Sequence, residues 1–177
     1  MSRIGLFYSS STGNTEAAAN EIKAAFDQLE NDLVAVHYVS EGPLTDLLAY
    51  DLLILGVPTW DIGELEADWD GVIGEMDELD LSGKKVAVFG LGDQVSYPDS
   101  YQDAIGILAK KARERGAELV GFTATEGHEF DESAAIENDK FMGLALDDDN
   151  QADQTTSRIT AWVTQLANEF TLNTSVT

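Results

Sequence analysis

The sequence predicts an α/β domain built on a doubly wound, five-stranded parallel sheet. Short apolar, β-branched runs alternate with longer segments of helical period, and five such runs occur with helical patterns between them. The first strand is expected at 3–8 (RIGLFY), the second at 33–38 (LVAVHY) and the third at 51–56 (DLLILG). The fourth falls at 84–90 (KKVAVFG) and the fifth at 118–123 (ELVGFT). Helical patterns lie at about 13–28, 66–78, 100–115 and 154–170. One segment breaks the rhythm: 124–140 is polar and lacks sustained period, and a further apolar run (FMGLAL) follows at 141–146. Both apolar runs are read as one fifth strand position, split by an insertion at about 124–140 that carries no strand or helix of its own.

A chain of 177 residues is expected to be one domain, 1–177, with no repeat, low-complexity tract or proline-rich linker. The absence of cysteine excludes disulfides, thiolate metal sites and cysteine nucleophiles. No signal peptide or run of 18 apolar residues is present, which predicts a soluble, cytoplasmic protein without membrane insertion. Thirty-three Asp and Glu against 10 Lys and Arg give a formal net charge of −23. Such a surface repels nucleic acid and anionic lipid, and it steers basic protein patches; solubility or adaptation to a salty cytoplasm is the other reading. Between Ala24 and Gly83 there are 15 acidic residues and no Lys or Arg, an asymmetry that favours a one-sided acidic surface.

In an open parallel sheet, ligands bind beyond the carboxyl ends of the strands. Three strand ends carry unusual loops, at 9–15, 57–63 and 91–98. In the first (SSSTGNT), Ser10, Ser11, Thr12 and Thr15 supply hydroxyls and Gly13 lets backbone approach an anion closely, with no Lys or Arg among them. The unpaired N–H groups and dipole of the helix that follows hold a phosphate without a cation. Neither Walker nor dinucleotide-fold glycine spacing is present, and taken alone the loop also reads as an ordinary helix cap. The second loop sets Trp60 beside Gly63, and the third sets Tyr97 in a turn between strand and helix. Rings just past strand ends in polar company describe a flat ligand held between them, its phosphate at the first helix.

The segments FYSSSTGNTE, GVPTWDIGELEADW, GLGDQVSYPDSYQDAIG and FMGLALDDDNQADQT resemble those of the long-chain flavodoxins, and the resemblance spans nearly the whole chain, insertion included. It implies the strand order 2-1-3-4-5 and a bound FMN. By the resemblance, Ser10, Ser11, Thr12, Gly13, Asn14 and Thr15 cradle the FMN phosphate, and Trp60 and Tyr97 flank the isoalloxazine. Asp61, Ile62 and Gly63 form the turn whose peptide rearranges on one-electron uptake. Leu91, Gly92 and Asp93 read the pyrimidine edge, and Pro58, Thr59, Gln102 and Asp147 complete the cofactor set. Asp61 stands where the family pattern leads one to expect Asn, and Leu91 where it leads one to expect Thr; a backbone contact at 91 would tolerate the second, and the first would tune potential.

The implied function is a low-potential one-electron carrier, cycling between semiquinone and hydroquinone, and not an enzyme. Phosphate charge left uncancelled, with Asp61, Glu64, Asp93 and Asp99 nearby, makes the last reduction create an anion among anions. One carboxylate about 8 Å from the ring at an effective dielectric of about 20 opposes it by roughly 2 kcal/mol, on the order of 90 mV. The expected partners are basic redox proteins such as ferredoxin-NADP reductase, photosystem I or nitrogenase reductase, docked transiently on a monomer, with association slowing as salt rises.

A flavin-dependent quinone reductase on the same fold is the rival reading, but it needs an open face over the flavin, which two flanking rings oppose. A phosphoacceptor signalling domain needs acids where this chain has hydroxyls. His37, in a strand, and His128, in the insertion, lack a second ligand at metal spacing and read as structural. The DDDN run at 147–150 reads as a solvated turn, KKARERG at 110–116 as a helix end, and Trp69 and Trp162 as core or partner-facing.

Overall fold

A computed structural model describes residues 3–10, 13–60, 64–65 and 67–172. Strand β1 (Ile4–Tyr8) is buried at every position and pairs in parallel with β2 (Val34–Tyr38) on one side and β3 (Leu52–Trp60) on the other. Next to β3 lies β5 (Lys85–Leu91); the two-residue β4 (Glu64–Leu65) folds back antiparallel on the end of β3. The fifth position is shared: β6 (Glu118–Val120) pairs with Lys85–Ala87, and β10 (Leu144–Leu146) pairs with Phe89–Leu91. By position the order is 2-1-3-4-5, the order the resemblance implies, with the fifth strand split.

Alternation of side chains along each strand divides the core into two layers. Phe7, Leu53, Leu55, Val57, Val86 and Val88 face one side. There they meet α2 (Ala67–Val72), α3 (Asp103–Glu114) and a 3-10 turn at Leu44–Ala49. Ile4, Leu6, Ile54, Ala87, Phe89 and Leu91 face the other side and pack on α1 (Asn14–Asp27) and α5 (Thr155–Glu169). Trp69 and Trp162 are both core residues, fully buried, with Nε1 donating to the carbonyls of Gly56 and Gly121 at 2.8 Å each. The 66–78 pattern is α-helical only to Val72 and then tightens into a 3-10 turn through Glu78. The KKARERG segment is a helix end: Lys111 and Arg113 lie in the last turn of α3, and Gly116 takes φ 98 just beyond it.

The insertion is ordered, which corrects the expectation of a segment without structure. It holds a small antiparallel sheet of β7 (Thr123–Ala124), β8 (Ile136–Glu137) and β9 (Lys140–Phe141). Asn138 and Asp139 both take positive φ, 52 and 65, and close a two-residue hairpin between β8 and β9. Phe130, Phe141, His128 and Tyr101 form one aromatic cluster that seats this sheet on the body, with Phe130 and Phe141 each about 5–6 Å from the Tyr101 ring. Asp103 Oδ1 accepts the N–H of Ala134 at 2.6 Å, and the Pro98 carbonyl accepts those of Asp131 and Glu132 at 2.7 and 3.0 Å.

Gly106 of α3 lets the insertion approach: a Cβ there would lie 2.3 Å from the backbone oxygen of Ala134, which cannot swing aside as a side chain can. Alanine favours a helix over glycine by about 1 kcal/mol. Overpacking against backbone costs more, so Gly106→Ala is expected to lower the unfolding free energy by roughly 1–2 kcal/mol net. Urea denaturation reads this directly, and an unchanged or raised midpoint would contradict the close packing.

Candidate functional site

Register brings the unusual loops to one rim. Tyr8 is level with Gly56, Pro58 with Leu91, and Leu91 with Leu146, so the segments after β1, β3, β5 and β10 leave the sheet side by side. Backbone bonds extend the pairing by a residue: Ser9 N–H reaches the Gly56 carbonyl at 3.2 Å and Gly92 N–H the Leu146 carbonyl at 3.0 Å.

The loop after β1 is shaped by Gly13, which takes φ 92 at the N-cap of α1. The N-cap is Gly13, which has no side chain to cap with, and among the described residues no side-chain cap bond is made to this helix. Ser10 Oγ instead accepts the Gly13 N–H at 3.0 Å and braces the turn. A Cβ at Gly13 would meet nothing within 4 Å among the described residues. Ser9 is fully buried and its Oγ has no partner among the described residues; Thr15 is buried behind it. Asn14 opens the helix. Sequence reasoning missed Tyr38, whose hydroxyl lies 3.4 Å from the Ser10 nitrogen and also bonds the Asp68 carboxylate of α2. An aromatic with a polar tip at the end of an otherwise apolar strand is the signal for it.

From the second loop, Pro58 lies level with Leu91, and Thr59 Oγ1 accepts the N–H of Ala104 at 3.2 Å, tying β3 to the start of α3. Trp60 ends β3, where its backbone pairs with Glu64. Ser11, Thr12, Asp61, Ile62 and Gly63 lie outside the described residues.

The third loop is bonded throughout. Asp93 Oδ1 accepts the N–H groups of Val95 and Ser96 at 3.1 and 2.9 Å, and Tyr97 N–H reaches the Asp93 carbonyl at 3.0 Å. Burial pushes the Asp93 carboxyl up, but the Ser96 N–H and the Asn150 amide lead the bonds that outweigh it and hold it below its ordinary value. Tyr97 is 40% exposed and Val95 69%, a ring and an apolar side chain offered to solvent at the rim. The Leu91 side chain points into the core on the α1 and α5 side, so Leu in place of Thr there leaves only backbone facing the rim.

Gln102 and Asp147 are both fully buried. Gln102, at φ 61, stretches past Gly90 and Gly92, where a Cβ would come within 2.6 and 3.0 Å of its amide. Its Nε2 donates to the Leu146 carbonyl at 2.8 Å, and its Oε1 has no partner among the described residues. Asp147 caps the short helix α4 (Asp148–Gln151) and accepts from Gln94 and Asn150, so the first residue of the DDDN run is a buried cap, whereas Asp149 and Asn150 are exposed as the solvated-turn reading has them. Burial first, then the charges of Asp93, Asp147 and Asp148, raise the carboxyl of Asp149.

Neither histidine joins this rim. His37 Nε2 lies 2.9 Å from the Tyr50 hydroxyl with the ring stacked on Phe7, and His128 Nδ1 lies 2.8 Å from the Tyr101 hydroxyl. No group of three His, Cys, Asp or Glu among the described residues is placed to hold a metal ion.

Residues 6–162 match the family model described as Flavodoxin. A flavodoxin of the cyanobacterium Nostoc sp. is 52% identical over 170 residues, covering 96% of this chain and 98% of the relative. A flavodoxin of Trichodesmium erythraeum is 50% identical over 171 residues, covering 96% and 99%. Among solved structures, a Fusobacterium nucleatum flavodoxin bound to flavin mononucleotide superposes with a TM-score of 0.89 at 34% identity, covering 96% of this chain and 99% of that one.

Burial, and secondarily the Arg158 charge, hold the His128 imidazole at about 4 against an ordinary 6.5, with Asp147 opposing. A lowered folded-state value means that the unfolded chain takes up the proton first. Stability from neutral His128 is therefore complete above about pH 6.5 and is lost as pH falls toward 4. His128→Gln is expected to flatten the fall in unfolding free energy across this window by up to about one proton equivalent. Urea titrations of both proteins at several pH values measure it, and parallel slopes would contradict the assignment.

Proposed function

The chain belongs to the flavodoxin family, and we propose from that premise that it holds FMN at the rim just described and passes single electrons between redox proteins. One observation carries the reading: α1 begins at a left-handed glycine with no side-chain cap bond among the described residues, level with the strand ends that lead into the loops carrying Trp60 and Tyr97. A phosphate is the group such a helix start lacks.

In this reading Ser10, Ser11, Thr12, Gly13, Asn14 and Thr15 hold the phosphate through hydroxyls and backbone N–H groups. The buried, unpartnered Ser9 Oγ and Gln102 Oε1 on the same rim are polar atoms that a bound cofactor or its ordered water would satisfy. Trp60 and Tyr97 flank the ring system, and backbone at Leu91, Gly92 and Asp93 meets its polar edge. Pro58, Thr59, Asp61, Ile62 and Gly63 form the opposite loop, while Gln102 and Asp147 support the floor. When bound, FMN supplies a low-potential one-electron couple. The residues around it are neutral or acidic, so each added negative charge meets dipoles and carboxylates without a cation to offset it.

The acidic surface suits docking of basic partners, with charge speeding their encounter in a salt-dependent way. Ferredoxin-NADP reductase, photosystem I and nitrogenase reductase are partners of this kind. We infer a monomer working in the cytoplasm; no helix among the described residues is long and apolar enough to cross a membrane.

Titration of the purified apoprotein with FMN, followed by flavin fluorescence, is expected to show stoichiometric quenching, and stepwise reduction of the complex is expected to show a well-populated one-electron-reduced form. Absence of binding, or reduction in a single two-electron step, would contradict the reading.

A further inference from the structure

Gln94 sits inside the loop that carries Tyr97, yet it is only 4% exposed and its polar atoms face inward. Its backbone N–H and side-chain Nε2 both donate to Asp147 Oδ2, at 3.1 and 2.8 Å. Its Oε1 accepts the N–H of Glu129, in the insertion, at 2.5 Å. One side chain therefore joins three segments that are distant in sequence: the loop after β5, the end of β10 and the insertion. Asn150 completes the knot, with Nδ2 3.0 Å from Asp147 Oδ2 and 2.8 Å from Asp93 Oδ1. Asp93 in turn orders Val95, Ser96 and Tyr97 through the bonds given above. Both polar atoms of the Gln94 side chain and both carboxylate oxygens of the buried Asp147 have partners, and such a satisfied buried pair fixes one geometry, whereas removal of Gln94 leaves a buried carboxylate short of donors.

We propose that Gln94 is a positioning residue for the cofactor. By fastening the loop from below it sets the Tyr97 ring and the backbone of Leu91–Asp93, and it makes the seating of the insertion bear on how tightly the cofactor is held. Asp147 then acts on the site through Gln94, without itself touching the ligand. This rests on the FMN reading above.

Two variants test it. Gln94→Leu cuts the side-chain bonds to Asp147 and Glu129 at similar volume. Gln94→Glu keeps the acceptor for Glu129 N–H but sets a carboxylate against Asp147 at neutral pH; once protonated, it donates to Asp147 as the amide does. The measurements are the FMN dissociation constant, the visible spectrum of the bound flavin and the urea midpoint of the apoprotein, each beside wild type at the same pH. Gln94→Leu is expected to weaken FMN binding by about tenfold or more, with an altered flavin spectrum. Gln94→Glu is expected to bind weakly at neutral pH and to recover toward wild type as pH is lowered. Dissociation constants within about twofold of wild type and unchanged spectra in both variants overturn the proposal, even if the urea midpoint falls, because Gln94 then fastens only the insertion. Should Gln94→Leu fail to fold, the pH profile of Gln94→Glu decides alone, and a constant ratio to wild type overturns it. A wild-type chain that does not bind FMN overturns the cofactor reading together with this inference, whereas tight wild-type binding with unaltered variants overturns this inference only.

Discussion

The start of α1 imposes the constraint on which the site depends. A helix beginning at a left-handed glycine, with no side-chain cap bond among the described residues, leaves its first N–H groups without intrahelical partners. An anion there satisfies them, and the helix dipole adds about half an elementary charge of attraction. The sequence places no Lys or Arg between Arg3 and Lys23, so the turn itself contributes no cation to the anion. The surrounding architecture serves this opening: the parallel sheet places the loops of β3 and β5 beside it, and Ser10 and Tyr38 brace the turn from two directions.

A site of this kind trades grip for electrostatic effect. A cation at the loop would hold phosphate more firmly but would also ease every reduction nearby. Dipoles hold phosphate while leaving its charge to act on the neighbourhood, and Asp93 and Asp149 at the third loop act in the same direction. Asp93 stays ionised because backbone and Asn150 donors outweigh its burial, whereas Asp149, crowded by like charges, is pushed the other way. In the proposed reading, the same excess of carboxylates that disfavours added charge at the rim would steer basic proteins to the surface.

Strand positions were readable because parallel strands buried on both faces leave continuous apolar runs, whereas their order came only with the family resemblance. The hydroxyl loop stood out in the sequence because its composition is unlike an ordinary strand-to-helix turn, and Ser11 and Thr12 in it lie outside the described residues. The insertion was not: its strands are two residues each, too short to leave a period, and aromatic packing on Tyr101 holds them. One local signal was there to be found, since Asn138–Asp139 between two strand-compatible pairs is a hairpin turn. The DDDN run misled only at Asp147, where charge density suggests solvent but the carboxylate is buried and accepts from Gln94, 53 positions away. Gln94 left no local trace either, as its partners lie 35 and 53 positions away. Long-range polar networks are the part of a site that composition and spacing record least.

The central claim is that backbone dipoles and hydroxyls of one turn, without a cation, form the anion seat. Backbone amide chemical shifts of the isotopically labelled apoprotein, followed during titration with inorganic phosphate, test it most directly. The account predicts saturable shifts concentrated in Ser10 through Glu16. Shifts concentrated elsewhere, or none in that turn while FMN still binds, would contradict it.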